Sequence, residues 1–311
     1  MSQSFAVGRA AAHPAAGEPH ASVAALDPRR KLQLALAVLW LLDGILQYQP
    51  SMFTRAFPQM LGSTAHGNPA LVAAPITWSA GFIGHHLAVA NGLFATTQVA
   101  LGLGIAWRPA VRLALAASVG WAAAVWWLGE GLGGVLAGTA SPVGGAPGAV
   151  ILYAVLAVLL WPADRDGPFV AARAVGRGPA LAAWLAVWGS IAVFALLPAS
   201  RAPQGLSGMI SGMASGEPNW LAWLDTRLAV ALTHQGLLAS AVLAAVFTIV
   251  AAGVFLPARL GRAVLVLAVV VAVALWLAQG LGGIFTGAGT DPNSAPLLAL
   301  LTLSYWPRSL A

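Results

Sequence analysis

Trp126-Trp127-Leu128-Gly129-Glu130-Gly131-Leu132-Gly133-Gly134 closes a long apolar run and opens a loop rich in Gly, Thr and Pro. Near the C-terminus, Trp276-Leu277-Ala278-Gln279-Gly280-Leu281-Gly282-Gly283 does the same. The two stretches register at an offset of 149 positions. At that offset Met60 meets Met209, Gly67 meets Gly216, Pro69 meets Pro218, His85 meets His234, and Pro147 meets Pro296. Trp161-Pro162 and Trp306-Pro307 then correspond with about one helical turn removed. A biased composition aligns Ala, Leu and Val by chance, but not His, Met, Trp and Pro at one spacing. The chain therefore reads as a tandem duplication.

Composition gives the class. Of 311 residues, 59% are hydrophobic and only 8% are charged, against about 25% charged in soluble domains. Several apolar runs approach the ~20 residues that cross a bilayer as a helix. The alternating ten-residue segments of a β-barrel are absent. The predicted fold class is all-α: a polytopic membrane protein whose partner is the lipid bilayer. There are 15 basic against 9 acidic residues. Their placement makes this excess a topology signal and not a nucleic-acid footprint. The chain has no cysteine, which excludes disulfides, thiolate nucleophiles, iron–sulfur ligation and covalent haem attachment.

Eight spans are predicted, at about 32–48, 82–107, 111–128, 149–161, 181–197, 228–256, 263–278 and 297–306. Residues 1–28 read as a disordered tail and 29–162 as a first four-helix repeat. Residues 163–179 form a polar linker and 180–311 a second four-helix repeat. Long loops are expected over 49–80 and 198–227, the first with room for a short interfacial helix around Met52, Phe53 and Phe57. The basic run Arg29-Arg30-Lys31 before an apolar stretch also resembles a signal-peptide start. The run leads on into the repeat, however, and not to a small-residue cleavage site. An even number of spans per repeat makes the halves parallel, related by an axis along the membrane normal. Twelve Lys and Arg then fall on one side, and Arg55, Arg201 and Arg227 on the other. That bias puts both termini in the cytoplasm and the long loops outside the cell membrane.

The candidate polar cluster lies on the outer side: Asp43, His85, Glu130, His234 and Gln279. A carboxylate such as Asp43 within a span costs about 2.5–3.5 kcal/mol on insertion scales, so it needs a partner or water. Its place in the second half is held by Ile191 and Ala192. Glu130 corresponds to Gln279, a neutral hydrogen-bonding group in the same position. His85 and His234 are expected at helix starts, where two equivalent histidines facing each other would suit a haem or a metal. His85-His86 is no chelating pair, because neighbouring helix positions point about 100° apart. Gly131, Gly133, Gly134, Gly280, Gly282 and Gly283 are read as a structural turn. The 13 Trp residues are read mainly as interfacial belts. No metal-ligand spacing, Walker loop or nucleophile elbow is present.

The run Gln98-Val99-Ala100-Leu101-Gly102-Leu103-Gly104-Ile105-Ala106-Trp107-Arg108-Pro109, with Asn68-Pro69 in the preceding loop, resembles the DoxX/DoxD-like group of small four-helix membrane proteins. Here the pattern occurs twice. The group includes the small subunit of a thiosulfate:quinone oxidoreductase, so the resemblance implies a link to membrane redox systems. It assigns no catalytic residue. Three functions are consistent with the sequence. The first is an accessory or quinone-linked subunit of a membrane redox complex, with a quinone or noncovalent haem near Asp43, His85, Glu130 and His234. The second is a transporter or channel for a small solute, proton or metal. The third is an assembly partner that docks through its outer loops.

Overall fold

A computed structural model describes residues 26–307. The tail expected over 1–28 lies, up to residue 25, outside the described residues. Within them the protein is all-α, with fourteen helices. In the first half these are α1 (Pro28–Gln47), α2 (Ala56–Ser63), α3 (Ala70–His85), α4 (Leu87–Ala106), α5 (Val111–Leu128), α6 (Ala149–Leu159) and α7 (Val170–Val175). The second half contains α8 (Arg177–Ala195), α9 (Pro198–Arg201), α10 (Gly205–Met213), α11 (Asn219–Leu232), α12 (Gly236–Gly253), α13 (Ala258–Ala278) and α14 (Ser294–Ser304).

Five helices, α4, α5, α8, α12 and α13, are long and apolar enough to cross a membrane. Two of the eight expected spans are short. α6 and α14 have 11 residues each, about 16 Å at 1.5 Å per residue, roughly half of a ~30 Å hydrocarbon core. Both are packed in the middle of the protein against each other, with Leu152, Tyr153, Leu156, Leu297, Leu298 and Leu301 sealed from solvent. The Gly-rich loop before α6 is packed as well: Ser141, Val143, Gly145 and Ala146 are buried.

The stretches expected as long loops are mostly helical. α2 and α3 occupy 56–85, and α9 to α11 occupy much of 198–232. Pro75 inside α3 and Gly212 inside α10 masked these helices in the sequence. Their outer faces carry exposed Leu71, Trp78, Phe82, Trp220 and Trp223, the aromatic and apolar content of a bilayer interface. The linker also holds a short helix, α7.

Close helix contact uses small residues. At the α1–α4 crossing a Cβ on Gly44 would stand 2.6 Å from Val99 Cγ2, and one on Gly102 would stand 2.7 Å from Leu41 Cγ. Only hydrogen at both positions lets the backbones approach this far. Several tryptophans are core residues and not belt residues. Trp40, Trp184 and Trp188 are fully buried. The Trp40 indole N–H donates to Ser118 Oγ at 3.0 Å, and that of Trp184 donates to the Val250 and Ala251 carbonyls.

One end of the bundle is basic and ion-paired. Arg29 and Arg173 meet Asp164 at 3.3 and 3.1 Å, and Arg173 lies 3.9 Å from Asp27. Arg30 donates to the Ile105 and Ala106 carbonyls at the C-terminus of α4. The opposite end carries the Gly-rich turns. Gly131, Leu132, Gly133 and Gly134 all have positive φ, between 56° and 71°. Gly280, Leu281, Gly282 and Gly283 repeat this with φ between 52° and 73°. Each is one turn of left-handed backbone, a conformation L-residues with a Cβ resist. A Cβ on Gly133 would lie 2.1 Å from the Pro147 carbonyl oxygen, and one on Gly282 would lie 2.5 Å from the Pro292 carbonyl carbon. Pro147 and Pro292 thus occupy matching places against the two turns.

Candidate functional site: an acidic pocket beside the Gly-rich turns

The two turns border a cleft of about 740 Å³. Asn68, Glu130, Glu217, Gln279, Asp291 and Asn293 are among its polar walls, and no Lys or Arg lines it. The loops of the two halves cross over in building it. The Gln279 amide donates to the Pro142 carbonyl at 2.9 Å, and Ser200 donates to Ser141 at 2.9 Å. In the other direction Gln49 donates to the Gly289 carbonyl at 3.2 Å, and Ser51 donates to that of Gly287.

Behind the cleft lies a smaller pocket of about 190 Å³. Met60, Gly129, Glu130, Thr290 and Asp291 line both spaces, so they form the threshold between them. The inner pocket is walled by α1 to α5. Phe57, Phe94 and Trp121 supply its aromatic lining, and the Phe94 and Trp121 rings stand 5.6 Å apart. Its polar groups are Asp43, Gln47, Ser79, Gln98, Glu130, Thr290 and Asp291.

Asp43 comes from α1, one turn from the helix end, and is 1% exposed. Its Oδ1 is buried without a hydrogen-bond partner. The Tyr153 hydroxyl is in electrostatic contact with this carboxyl and makes no hydrogen bond of normal geometry. Glu130 follows α5 and reaches the N-terminus of α6, where the Val150 N–H donates to its Oε1 at 3.1 Å. A negative side chain there complements the helix dipole. Glu130 Oε2 is buried, unpartnered, and pressed against Gly148, where a Cβ would fall 2.2 Å from it. Burial, reinforced by the nearby Asp291 charge, holds the Glu130 carboxyl up at about 8, against the opposing pull of the Val150 and Ala149 N–H groups. Asp291 accepts from the Asn293 N–H at 2.7 Å and from the Thr290 hydroxyl at 2.9 Å. Burial raises its carboxyl as well. Gln98, 9% exposed, leaves its Oε1 unmet, and the Trp121 indole N–H is also unmet.

Of the expected cluster, Asp43 and Glu130 meet in this pocket. Gln279 lies in the adjoining cleft, fully buried, with its amide also 3.3 Å from Ser294 Oγ. His85 and His234 line neither space. His85 ends α3, is exposed, and bonds its own helix through Nδ1 at 2.7 Å from the Gly81 carbonyl. His234 is exposed in the break between α11 and α12, at φ 65°. Among the described residues no group of three or more His, Asp and Glu is placed to hold a metal ion.

The sequence reading missed Gln98, Trp121 and the reach of Asp291. Gln98 and Trp121 sit mid-span in α4 and α5, and that depth was the available signal, since neither an amide nor an indole N–H is at home there without a partner. Asp291 joins by a loop crossing that no local pattern reveals. Across the cleft, Glu217 rests on Gly280 and beside buried Asp225. All four of their carboxyl oxygens lack donors. Burial, with Asp225 adding, pushes Glu217 up to about 7.

No protein family, curated protein or solved structure matches the chain.

Proposed function

We propose that the chain is a multi-pass membrane protein of the solute-binding, transporter-like kind. It consists of two tandem four-helix units and admits a small ligand from the outer cleft into the inner pocket of the first unit. The observation that carries this is the pocket itself. It is connected to the cleft by shared walls and holds unmet hydrogen-bonding atoms on Asp43, Gln98, Glu130 and Trp121. Buried polar groups are normally satisfied, so four orphans around one space point to an occupant.

The tandem reading is supported by the two left-handed turns, by positive φ at both Gly67 and Gly216 and at both Gly138 and Gly287, and by the matched turn contacts to Pro147 and Pro292. On this correspondence Asp43, Glu130 and Asp291 face Ala192, Gln279 and Ala146 in the other unit. All three acidic groups are thus lost there, so the units have diverged and only the first keeps the acidic pocket. In the proposed topology the ion-paired Arg29–Asp164 end is cytoplasmic, both termini lie on that side, and the cleft opens outside. The DoxX/DoxD-like grouping belongs to the same proposal and rests on residues 98–109 and the Asn68-Pro69 pattern.

A second reading keeps the quinone-linked redox subunit. The unmet Trp121 N–H beside an aromatic wall favours it, since a quinone carbonyl accepts a hydrogen bond.

The native chain lacks cysteine, so single cysteines report access cleanly. Ser79→Cys, in the pocket wall, is expected to react in intact cells with a small membrane-impermeant thiol reagent added outside. Ser118→Cys, buried against Trp40, is expected to stay unreactive. Equal protection of both would remove the route from cleft to pocket.

A further inference from the structure

We propose that the ligand of the inner pocket is a small organic ammonium ion, about the size of benzylamine. The inference rests on reading the pocket as a ligand site and goes on to name the ligand's chemistry. The unmet oxygens on its wall, Asp43 Oδ1, Gln98 Oε1 and, once its proton leaves, Glu130 Oε2, call for donors. An alkylammonium head carries three N–H donors and no acceptor, the complement of such a wall. Gln98 is neutral and 9% exposed, which makes its orphaned oxygen independent of the acidic groups.

Charge leads to the same class. Asp43, Glu130 and Asp291 line the pocket, and no Lys, Arg or His does. At this end of the bundle, no carboxylate among the described residues forms an ion pair with a basic side chain. A bound cation takes the place of the proton that burial keeps on Glu130, since a buried charge is strongly unfavourable without a counter-charge. Phe57, Phe94 and Trp121 then offer ring faces to the cation or to its apolar body. A metal ion fits less well, because no three carboxylate or imidazole groups converge on a point. Volume sets the upper size. A cavity of about 150 Å³ holds benzene, and this one measures about 190 Å³. The single unmet donor, Trp121 N–H, is left for an oxygen on the natural ligand.

The test uses full-length protein in nanodiscs and three probes of one shape: benzylammonium, benzyl alcohol and benzoate, compared by calorimetry at neutral pH. Benzylammonium is expected to bind saturably, with the neutral and anionic probes weaker by about tenfold or more. Gln98→Leu and Asp43→Asn are each expected to weaken benzylammonium by about tenfold. Bound benzylammonium is also expected to slow labelling of Ser79→Cys. Benzyl alcohol binding as tightly as benzylammonium would overturn the cation assignment while leaving the pocket a ligand site. Failure of all three probes to bind would overturn it too. Whether the pocket is accessible at all is decided separately, by the labelling of Ser79→Cys without any probe.

Discussion

Glu130 has two roles that pull in opposite directions. Its Oε1 caps α6 through the Val150 N–H, which favours the charged form. Its burial and the Asp291 carboxyl favour the neutral form and prevail, holding it at about 8. The folded protein therefore keeps a proton on Glu130 between an ordinary carboxyl value near 4.5 and about 8, where the unfolded chain has lost it. Stability falls as pH rises through that window, because the folded state binds more protons than the unfolded state. Glu130→Gln removes this dependence. The variant is expected to melt several degrees higher than the native protein at pH 8.5 and close to it at pH 5. A detergent-solubilised thermal melt at the two pH values measures the effect. Equal pH slopes in the two proteins would mean that Glu130 is not the group that titrates. Glu217, held at about 7 by burial and by Asp225, adds a slope of the same sign to both proteins.

Among single residues, Glu130 and Asp43 were visible in the sequence as carboxylates beside or within apolar runs. In the sequence Gln98 only opens the Gly-rich run 98–109, and Trp121 is one of thirteen tryptophans read mainly as belt residues. Both assignments fail for the same reason. Composition gives a residue's depth along a helix but not the face it occupies, and in a bundle the face decides between lipid, core and pocket.

At the level of the element, the left-handed turns set the geometry. They return the chain from the ends of α5 and α13 toward the short helices α6 and α14, and bring Glu130 and Gln279 to the helix starts. Gly133 and Gly138 separate the two physical demands on such positions. Both have positive φ, 64° and 70°, but a Cβ on Gly133 collides with the Pro147 carbonyl, whereas one on Gly138 meets open space. Gly138→Ala is expected to cost about 1–2 kcal/mol, the left-handed penalty alone. Gly133→Ala is expected to cost about 3 kcal/mol or more, because backbone must also shift. Thermal unfolding or expression yield of the two variants ranks them, and equal tolerance would contradict the packed turn.

The turns were legible in the sequence as paired Gly-Leu-Gly-Gly motifs. The helices α2, α3, α10 and α11 were not, since Pro and Gly within them and their interfacial position break the long apolar signal on which a span prediction depends. The shortness of α6 and α14 was obscured in the opposite way. Buried loop residues such as Val143 and Ala146 extend the apolar character past the helix end.

At the scale of the molecule, one end is basic and ion-paired, and the other holds five of the nine acidic residues: Asp43, Glu130, Glu217, Asp225 and Asp291. This polarity along the bundle was readable from the charge count. The crossing of the Gly-rich loops was not, because it depends on how the halves face each other. That crossing lets a residue of the C-terminal half, Asp291, complete a pocket built by α1 to α5. The most direct test of a cation-selective pocket reached from outside is the labelling rate of Ser79→Cys in intact cells with two impermeant thiol reagents of similar size and opposite charge. The cationic reagent is expected to react about tenfold faster or more than the anionic one, with the gap widening above about pH 8, where Glu130 ionises, and no such widening in Glu130→Gln. Equal rates for the two reagents, or no reaction with either, would contradict the acidic pocket and its outer entrance.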